Sequence, residues 1–309
     1  MRKRKNKRKI WIFFIKICNC IVFYIKKWYN WFIKVNLVCI KKYTPILYRF
    51  CGGNMAKIIS VANQKGGVGK TTTAVNLASC LAEQGKRVLI VDSDPQGNTT
   101  TGLGIEKETI ICTIYDILVN GVAVRDVIMK TKYFDLDIIV SDMSLSGAEV
   151  ELVGLNKREF QLKEALEQVK DDYDFIIIDC PPSLGLVTIN ALTATDTVLI
   201  PIQCEYYALE GVMQLTNTIN LVKKALNPDL DIEGVVMTMF DGRTNLSIQV
   251  VNEVKKCFGK KVYRSVIPRN VRLSEAPSFG EPINVFDRTA TGAVAYTSLA
   301  KEVIERNEK

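Results

Sequence analysis

Apolar residues in this chain come in short unbroken runs, separated by segments in which they recur every third or fourth position. The first run, Lys57-Ile58-Ile59-Ser60-Val61-Ala62, meets a glycine loop. Beyond the loop, Ala74, Leu77, Ala78 and Leu81 share one face of a helix predicted over 71–82, which Gly85 ends. Arg87 to Val91 begins a second predicted strand. Further runs at 135–142, 174–180, 197–204, 233–240 and 262–268 alternate with helix-like segments near 159–170, 186–194, 208–225, 245–258 and 290–306. Runs that are apolar on both faces and alternate with helices predict an α/β fold, a mostly parallel sheet with helices on both faces. No repeat, long linker or low-complexity segment interrupts 55–309, so a single domain is expected there.

Residues 1–54 break the pattern. They hold 14 Lys and Arg and no Asp or Glu, and their apolar runs are cut by Lys16, Asn19, Lys26, Lys27, Asn30 and Lys34. Neither run reaches the roughly 20 clean apolar residues of a spanning helix. No small-residue cleavage site follows, as a signal peptide requires. A basic, aromatic membrane-surface segment is one reading. The expectation we adopt is that this extension is upstream A/T-rich DNA read as protein, with the biological start at Met55, because MAKIISVANQ opens directly into a strand.

Composition narrows the chemistry. The 309 residues carry a formal charge of +8, but the basic extension accounts for it: residues 55–309 hold 27 basic against 33 acidic side chains, a formal −6. Anion binding by that body therefore needs local clusters rather than a global field. With no histidine anywhere, His-based triads and His metal sites are excluded, leaving carboxylates, lysines, backbone amides or a metal. The nine cysteines are scattered without a C-x-x-C pair, which suggests reduced thiols in the cytoplasm.

The loop between the first strand and helix, NQKGGVGKTTT from Asn63 to Thr73, nearly fits the phosphate-loop pattern G-x-x-x-x-G-K-[ST]. Its first glycine is replaced by Gln64, and a second lysine, Lys65, follows. Gly66, Gly67 and Gly69 let backbone N–H groups surround a phosphate, and the helix N-terminus adds partial positive charge. In that pattern Lys70 reaches the β- and γ-phosphates and the Thr71 hydroxyl ligates Mg²⁺. The fold expected is therefore P-loop NTPase-like. Asp179, ending the strand Phe175-Ile176-Ile177-Ile178, stands where a Walker-B carboxylate supports the magnesium shell. Asp92 and Asp94 follow the second strand two apart; if the strand continued, both would point the same way. One would orient the attacking water and the other support magnesium through water.

Together KGGVGKTTT, VDSDPQGNTT, DCPPSLG, DGRTNLSIQV and IPRNVRLSEAPS closely resemble the ParA/Soj family of chromosome- and plasmid-partitioning ATPases, over essentially all of 55–309. That family carries a deviant Walker A loop, K-G-G-x-G-K-[ST], the loop found here. The resemblance implies cofactors ATP and Mg²⁺ and an ATP-bound homodimer in which Lys65 reaches the partner's nucleotide, with Gly66 kept small by the close partner chain. Nucleotide would be held by Lys65, Gly66, Gly67, Val68, Gly69, Lys70, Thr71 and Thr72, with Pro268 and Asn270 near the base. Catalysis would rest on Lys65, Lys70 and the hydrolytic aspartate Asp94, and Mg²⁺ on Thr71, Asp94 and Asp179, partly through water. Arg243 and Arg272 match positions that bind non-specific DNA, with Lys255, Lys256, Lys260, Lys261 and Arg264 nearby. A ParB-type centromere-binding partner would stimulate hydrolysis, and the protein would work in the cytoplasm on the nucleoid.

Two alternatives stay open on the sequence. A MinD-type division-site ATPase binds membrane through a C-terminal amphipathic helix, whereas the tail AYTSLAKEVIERNEK has few apolar residues, so a membrane partner is not expected. An iron–sulfur electron donor needs bridging cysteines, for which only Cys112 and Cys180 offer themselves.

Overall fold

The computed structural model describes residues 55–205 and 208–308. The extension 1–54, expected to precede the start at Met55, lies outside the described residues. The strands are β1 Lys57–Val61, β2 Val88–Asp92, β3 Met129–Lys130, β4 Leu136–Ile139, β5 Phe175–Asp179, β6 Thr197–Gln203, β7 Asp231–Phe240 and β8 Val262–Pro268. They form one sheet in the order β3-β4-β2-β5-β1-β6-β7-β8. All neighbours are parallel except the short edge strand β3, which pairs antiparallel with β4. Every predicted apolar run is a strand. The two residues of β3 carry no such run, which is why they escape the pattern.

The helices that matter below are α1 Lys70–Glu83, α2 Asn98–Gly102, α3 Leu145–Glu151, α4 Leu186–Ala194, α5 Ala208–Ala225, α6 Asn245–Phe258, α7 Val271–Glu275 and α8 Thr291–Asn307. Alternation along the strands feeds two cores. Ile58, Ile176 and Ile178 face one, with Leu145, Ala191, Leu215 and Val254 from α3, α4, α5 and α6. Ile59, Val61 and Ile177 face the other, with Leu77 and Leu81 of α1 and Tyr296, Leu299 and Val303 of α8. Burial on both faces is what made the strands read as continuous apolar runs. Leu77 is fully buried, so truncating it to alanine costs about 2–5 kcal/mol.

Gly85 stops α1 as expected. At φ 81 it lies in the left-handed region, and its N–H and that of Lys86 donate to Ala82 and Leu81, closing a Schellman turn. The predicted helix near 159–170 shrinks to Gln161–Leu166, because Gln168 and Val169 close tighter turns onto Ala165 and Leu166. The last helix, α8, places Tyr296, Leu299 and Val303 in the core, so its apolar face is occupied. No helix among the described residues is long and apolar enough to cross a membrane.

Candidate active site

Parallel strands bring the loops after β1, β2, β5, β6, β7 and β8 to one edge of the sheet, where α/β folds hold ligands. The loop after β1 is pinned at two points. Asn63 donates from Nδ2 to the Pro201 carbonyl at 2.8 Å and accepts the Lys65 N–H at 3.0 Å. Farther along, the Val68 carbonyl accepts the Thr238 hydroxyl at 2.8 Å, tying the loop to β7. Gly67 and Gly69 take φ 73 and 84, backbone that a side chain would strain. Gly69 then caps α1 without offering a side chain, leaving the first helical amides for an anion.

The two lysines of this loop have different surroundings. Lys70 is buried and donates from Nζ to the Lys65 carbonyl at 3.2 Å. Burial holds its pKa below the ordinary lysine value, against the opposing pull of Asp179 and Asp94. The Lys65 side chain, by contrast, keeps 34% of its surface exposed, and its Nζ lies 3.1 Å from the Glu205 carboxylate beyond β6. Gly66 beside it is exposed, and a Cβ added there would meet no atom within 4 Å. Nothing in the protomer itself demands glycine at that position.

The acids separate as well, contrary to the expectation that Asp92 and Asp94 point the same way. β2 ends at Asp92 and the chain turns, so the two carboxylates enter different environments. Asp92 is fully buried: its Oδ2 accepts the Thr100 N–H and hydroxyl at 2.8 and 2.7 Å, and its Oδ1 accepts the Asp94 N–H at 3.2 Å. It is an anchor for the loop and for α2, with no face left for a ligand. Asp94 is half-buried, and its carboxylate accepts the Gln96 N–H at 3.0 Å. Across the strands, Asp179 is the register partner of Asp92 and equally buried. Its Oδ2 accepts the Thr99 hydroxyl at 2.8 Å, while its Oδ1 has no hydrogen-bond partner. Burial, with the Asp92 charge beside it, pushes the Asp179 carboxyl up to about 7; burial likewise raises Asp92 to about 6.

An orphaned, desolvated carboxylate oxygen beside Thr71 is a fit for a divalent cation. No group of three or more acidic or cysteine side chains that could hold a metal occurs among the described residues. The donor set thus suits Mg²⁺, which takes one or two protein ligands and completes its shell with phosphate oxygens and water. Cys180 is buried and its thiol is pushed up to about 12, the environment of an inert core cysteine.

A cleft of about 370 Å³ opens next to the phosphate loop. Gly69 and Thr72 line one side; Thr238, Pro268, Arg269, Asn270 and Tyr296 are among those lining the rest. Asn270 lines this cleft, but its amide is occupied within the protein. Its Oδ1 accepts the Leu273 N–H at 3.3 Å and its Nδ2 donates to Thr291 at 2.6 Å, so it shapes the cleft by holding α7.

A family model described as an AAA domain matches residues 56–232. The sporulation initiation inhibitor protein Soj of Bacillus subtilis is 64% identical over 249 residues, covering 81% of this chain and 98% of the relative. The chromosome partitioning protein ParA of Myxococcus xanthus is 53% identical over 253 residues, covering 82% of this chain and 89% of the relative. The chain belongs to the ParA/Soj family of partitioning ATPases. Among solved structures, a cobyrinic acid a,c-diamide synthase of Mycobacterium smegmatis with bound ADP and magnesium is 36% identical, with a TM-score of 0.71 over 82% of this chain and 97% of that one. A shared fold thus accommodates differently named activities, and the site must decide between them.

The two arginines singled out in this ParA/Soj-family chain are exposed, and both are paired with acids. Arg243, after β7, grips Asp241 with two bonds of 2.8 and 2.6 Å. Arg272, in α7, lies 2.8 Å from Glu275 and 3.5 Å from Asp287. Lys256, Lys261 and Arg264 nearby are paired with Glu253, Asp231 and Glu305. Sequence reasoning did not find Thr100, Thr238 or Glu205. Thr238 and Glu205 reach the loop after β1 from distant parts of the chain, a signal that local spacing does not carry, and Thr100 reaches Asp92 through a turn that no residue type announces.

Proposed function

We propose that this chain is an ATP-hydrolysing switch that dimerises around ATP, and that the dimer holds DNA without sequence preference until a ParB-type partner stimulates hydrolysis. The observation that carries this reading is the separation of the two lysines. Lys70 is enclosed in its own phosphate loop, while the Lys65 amine lies outside it on the surface carboxylate of Glu205. A cation so placed is available to the nucleotide of a second subunit, and the empty space around Gly66 leaves room for that subunit's backbone.

Within each subunit the loop amides and Lys70 bind the β- and γ-phosphates, and the cleft between Gly69 and Pro268 takes the base. Thr71 and the Asp179 Oδ1 would hold Mg²⁺, with Asp94 reaching it through water. The ion supplies charge neutralisation for the phosphates. Asp94, whose carboxylate accepts the Gln96 N–H, is positioned to orient the water that converts ATP to ADP and phosphate. Dimerisation doubles the set of arginines presented to DNA, which links ATP to DNA affinity even on an acidic body. The cytoplasm, on the nucleoid, is where such a cycle works.

Co-sedimentation of the full chain with plasmid DNA or with anionic liposomes, each with ATP or ADP, tests the reading. ATP-dependent DNA binding that is lost in Arg243→Ala/Arg272→Ala is the expected result. Liposome binding without DNA binding would overturn it in favour of a MinD-type role.

A further inference from the structure

The loops that carry Asp94 and follow Asp179 are joined by one segment outside the phosphate site. We propose that Glu149 is a positioning residue which locks the loop 180–185 to the loop 94–97 through α3. The proposal rests on the hydrolytic reading above and extends it to a residue that never meets nucleotide.

The chain of contacts is continuous. On one side, the Ser141 N–H donates to the Thr100 hydroxyl at 3.1 Å, and the Ser141 carbonyl lies so close to Gly97 that a Cβ there would approach it to 2.9 Å. The loop holding Asp94 is thus seated directly on the start of the segment that leads into α3. Leu145 and Ala148 of α3 are fully buried, so the helix is a rigid lever rather than a tether. On the other side, Glu149 reaches α4, the nine-residue helix that follows the loop after Asp179. The helix has no cap from its own Gly185. Instead the Glu149 carboxylate accepts the Leu186 N–H at 2.6 Å and the Val187 N–H at 3.3 Å.

That arrangement supplies the capping oxygen and the negative charge a helix N-terminus favours, from a different element. It also explains Gly185. Its φ of −84 is ordinary for any residue, yet a Cβ there would lie 2.2–2.4 Å from the Glu149 carboxylate. A side chain at 185 would push the carboxylate off the start of α4. The Thr188 hydroxyl bonds back to the Ser183 carbonyl at 2.6 Å, so fixing the helix start also fixes the loop that leads out of Asp179.

The test compares Glu149→Ala, Glu149→Gln, Gly185→Ala and the double variant Glu149→Ala/Gly185→Ala in the full chain. Amide hydrogen exchange reads the lock without reference to hydrolysis. In Glu149→Ala, exchange should rise about tenfold at the amides of 183–187. It should also rise at 94–97, on the far side of α3. In ATP turnover, kcat should fall about tenfold or more, since misplacing a reacting group by an ångström is costly, while KM for ATP holds. Glu149→Gln, which keeps one acceptor, should recover part of the loss. Gly185→Ala should mimic Glu149→Ala, and the double variant should be no worse than Glu149→Ala, because the clash has gone. Exchange that rises only at 183–187, or losses that multiply in the double variant, would overturn the lock. A wild-type chain that shows the exchange coupling but releases no phosphate would instead sink the hydrolytic reading and keep the lock.

Discussion

The carboxyl ends of β2 and β5 and the outer surface around α7 both use carboxylates, to opposite ends. At the strand ends, Asp92 and Asp179 are fully buried and fixed by Thr99, Thr100 and the Asp94 backbone. Around α7, Asp241 and Glu275 sit on the surface and hold Arg243 and Arg272. Exposed pairs of that kind are screened by solvent and contribute little, so a phosphate can replace the acid at little cost. A buried carboxylate that loses a partner has no water to turn to. The strand ends are therefore built before a ligand arrives, while the surface is built to exchange partners, and the two should respond differently to mutation, salt and pH.

The sharpest way to break that contrast is at the loop that borders both. Lys65→Ala should lower partner-stimulated hydrolysis by about a thousandfold, the scale of a cation supplied in trans, while ATP binding by the monomer changes little. Phosphate release and equilibrium binding of a fluorescent ATP analogue measure the two. Equal loss in both would place Lys65 in its own site and undo the separation from Lys70. Asp94→Ala should lower turnover by about a hundredfold or more and leave ATP-dependent DNA binding intact. If DNA binding is lost too, Asp94 is holding the loop rather than orienting water.

At the surface, the effect should be smaller and salt-dependent. Arg243→Ala and Arg272→Ala should each weaken DNA binding several-fold and reduce the slope of log affinity against log salt by about 0.9. Competition between unrelated DNA sequences should stay even. An unchanged slope would show that these side chains keep their acids in the complex.

The same contrast explains what could be read from the sequence. The strands were legible because burial on both faces leaves long apolar runs; Lys70 and Thr71 stand out because the phosphate-loop pattern fixes their spacing, and Asp179 because it ends an apolar strand. Asp92 was not: its separation from Asp94 depends on the strand ending at Asp92, which no residue type announces. Glu149 and Glu205 look like ordinary surface acids in a chain with 33 of them. Their roles come from α4 and β1 being brought beside them. Asn270 lines the cleft, but its amide works within the fold, through Leu273 and Thr291.

pH separates the buried acids from the exposed ones. Asp179 and Asp92 rise to about 7 and about 6, above the ordinary carboxylate value near 4. Protonation therefore favours the folded state, and this contribution is full at low pH and lost as pH climbs through 6–7. Asp241, held low at about 2 by Arg243, has the opposite sign and acts only below pH 4. Asp179→Asn should thus flatten the fall in nucleotide-free melting temperature between pH 5 and 8, by about 3 °C on the scale of a domain this size. An unchanged pH slope would mean that Asp179 is ionised throughout.

The smallest expected effect concerns the release of Lys65. Its amine is held by Glu205, and the pair is too exposed to contribute more than about 1 kcal/mol. To serve a second subunit the lysine must leave that carboxylate, so the pair favours the unassembled form. Glu205→Gln keeps the shape and removes the charge. It should shift the ATP concentration for half-maximal dimerisation down by about two- to fivefold, read by light scattering or analytical ultracentrifugation. Because the pair is exposed, raising the salt should produce the same shift in the wild type and little in the variant. Weaker dimerisation in Glu205→Gln would mean that the carboxylate guides the lysine across the interface rather than holding it back.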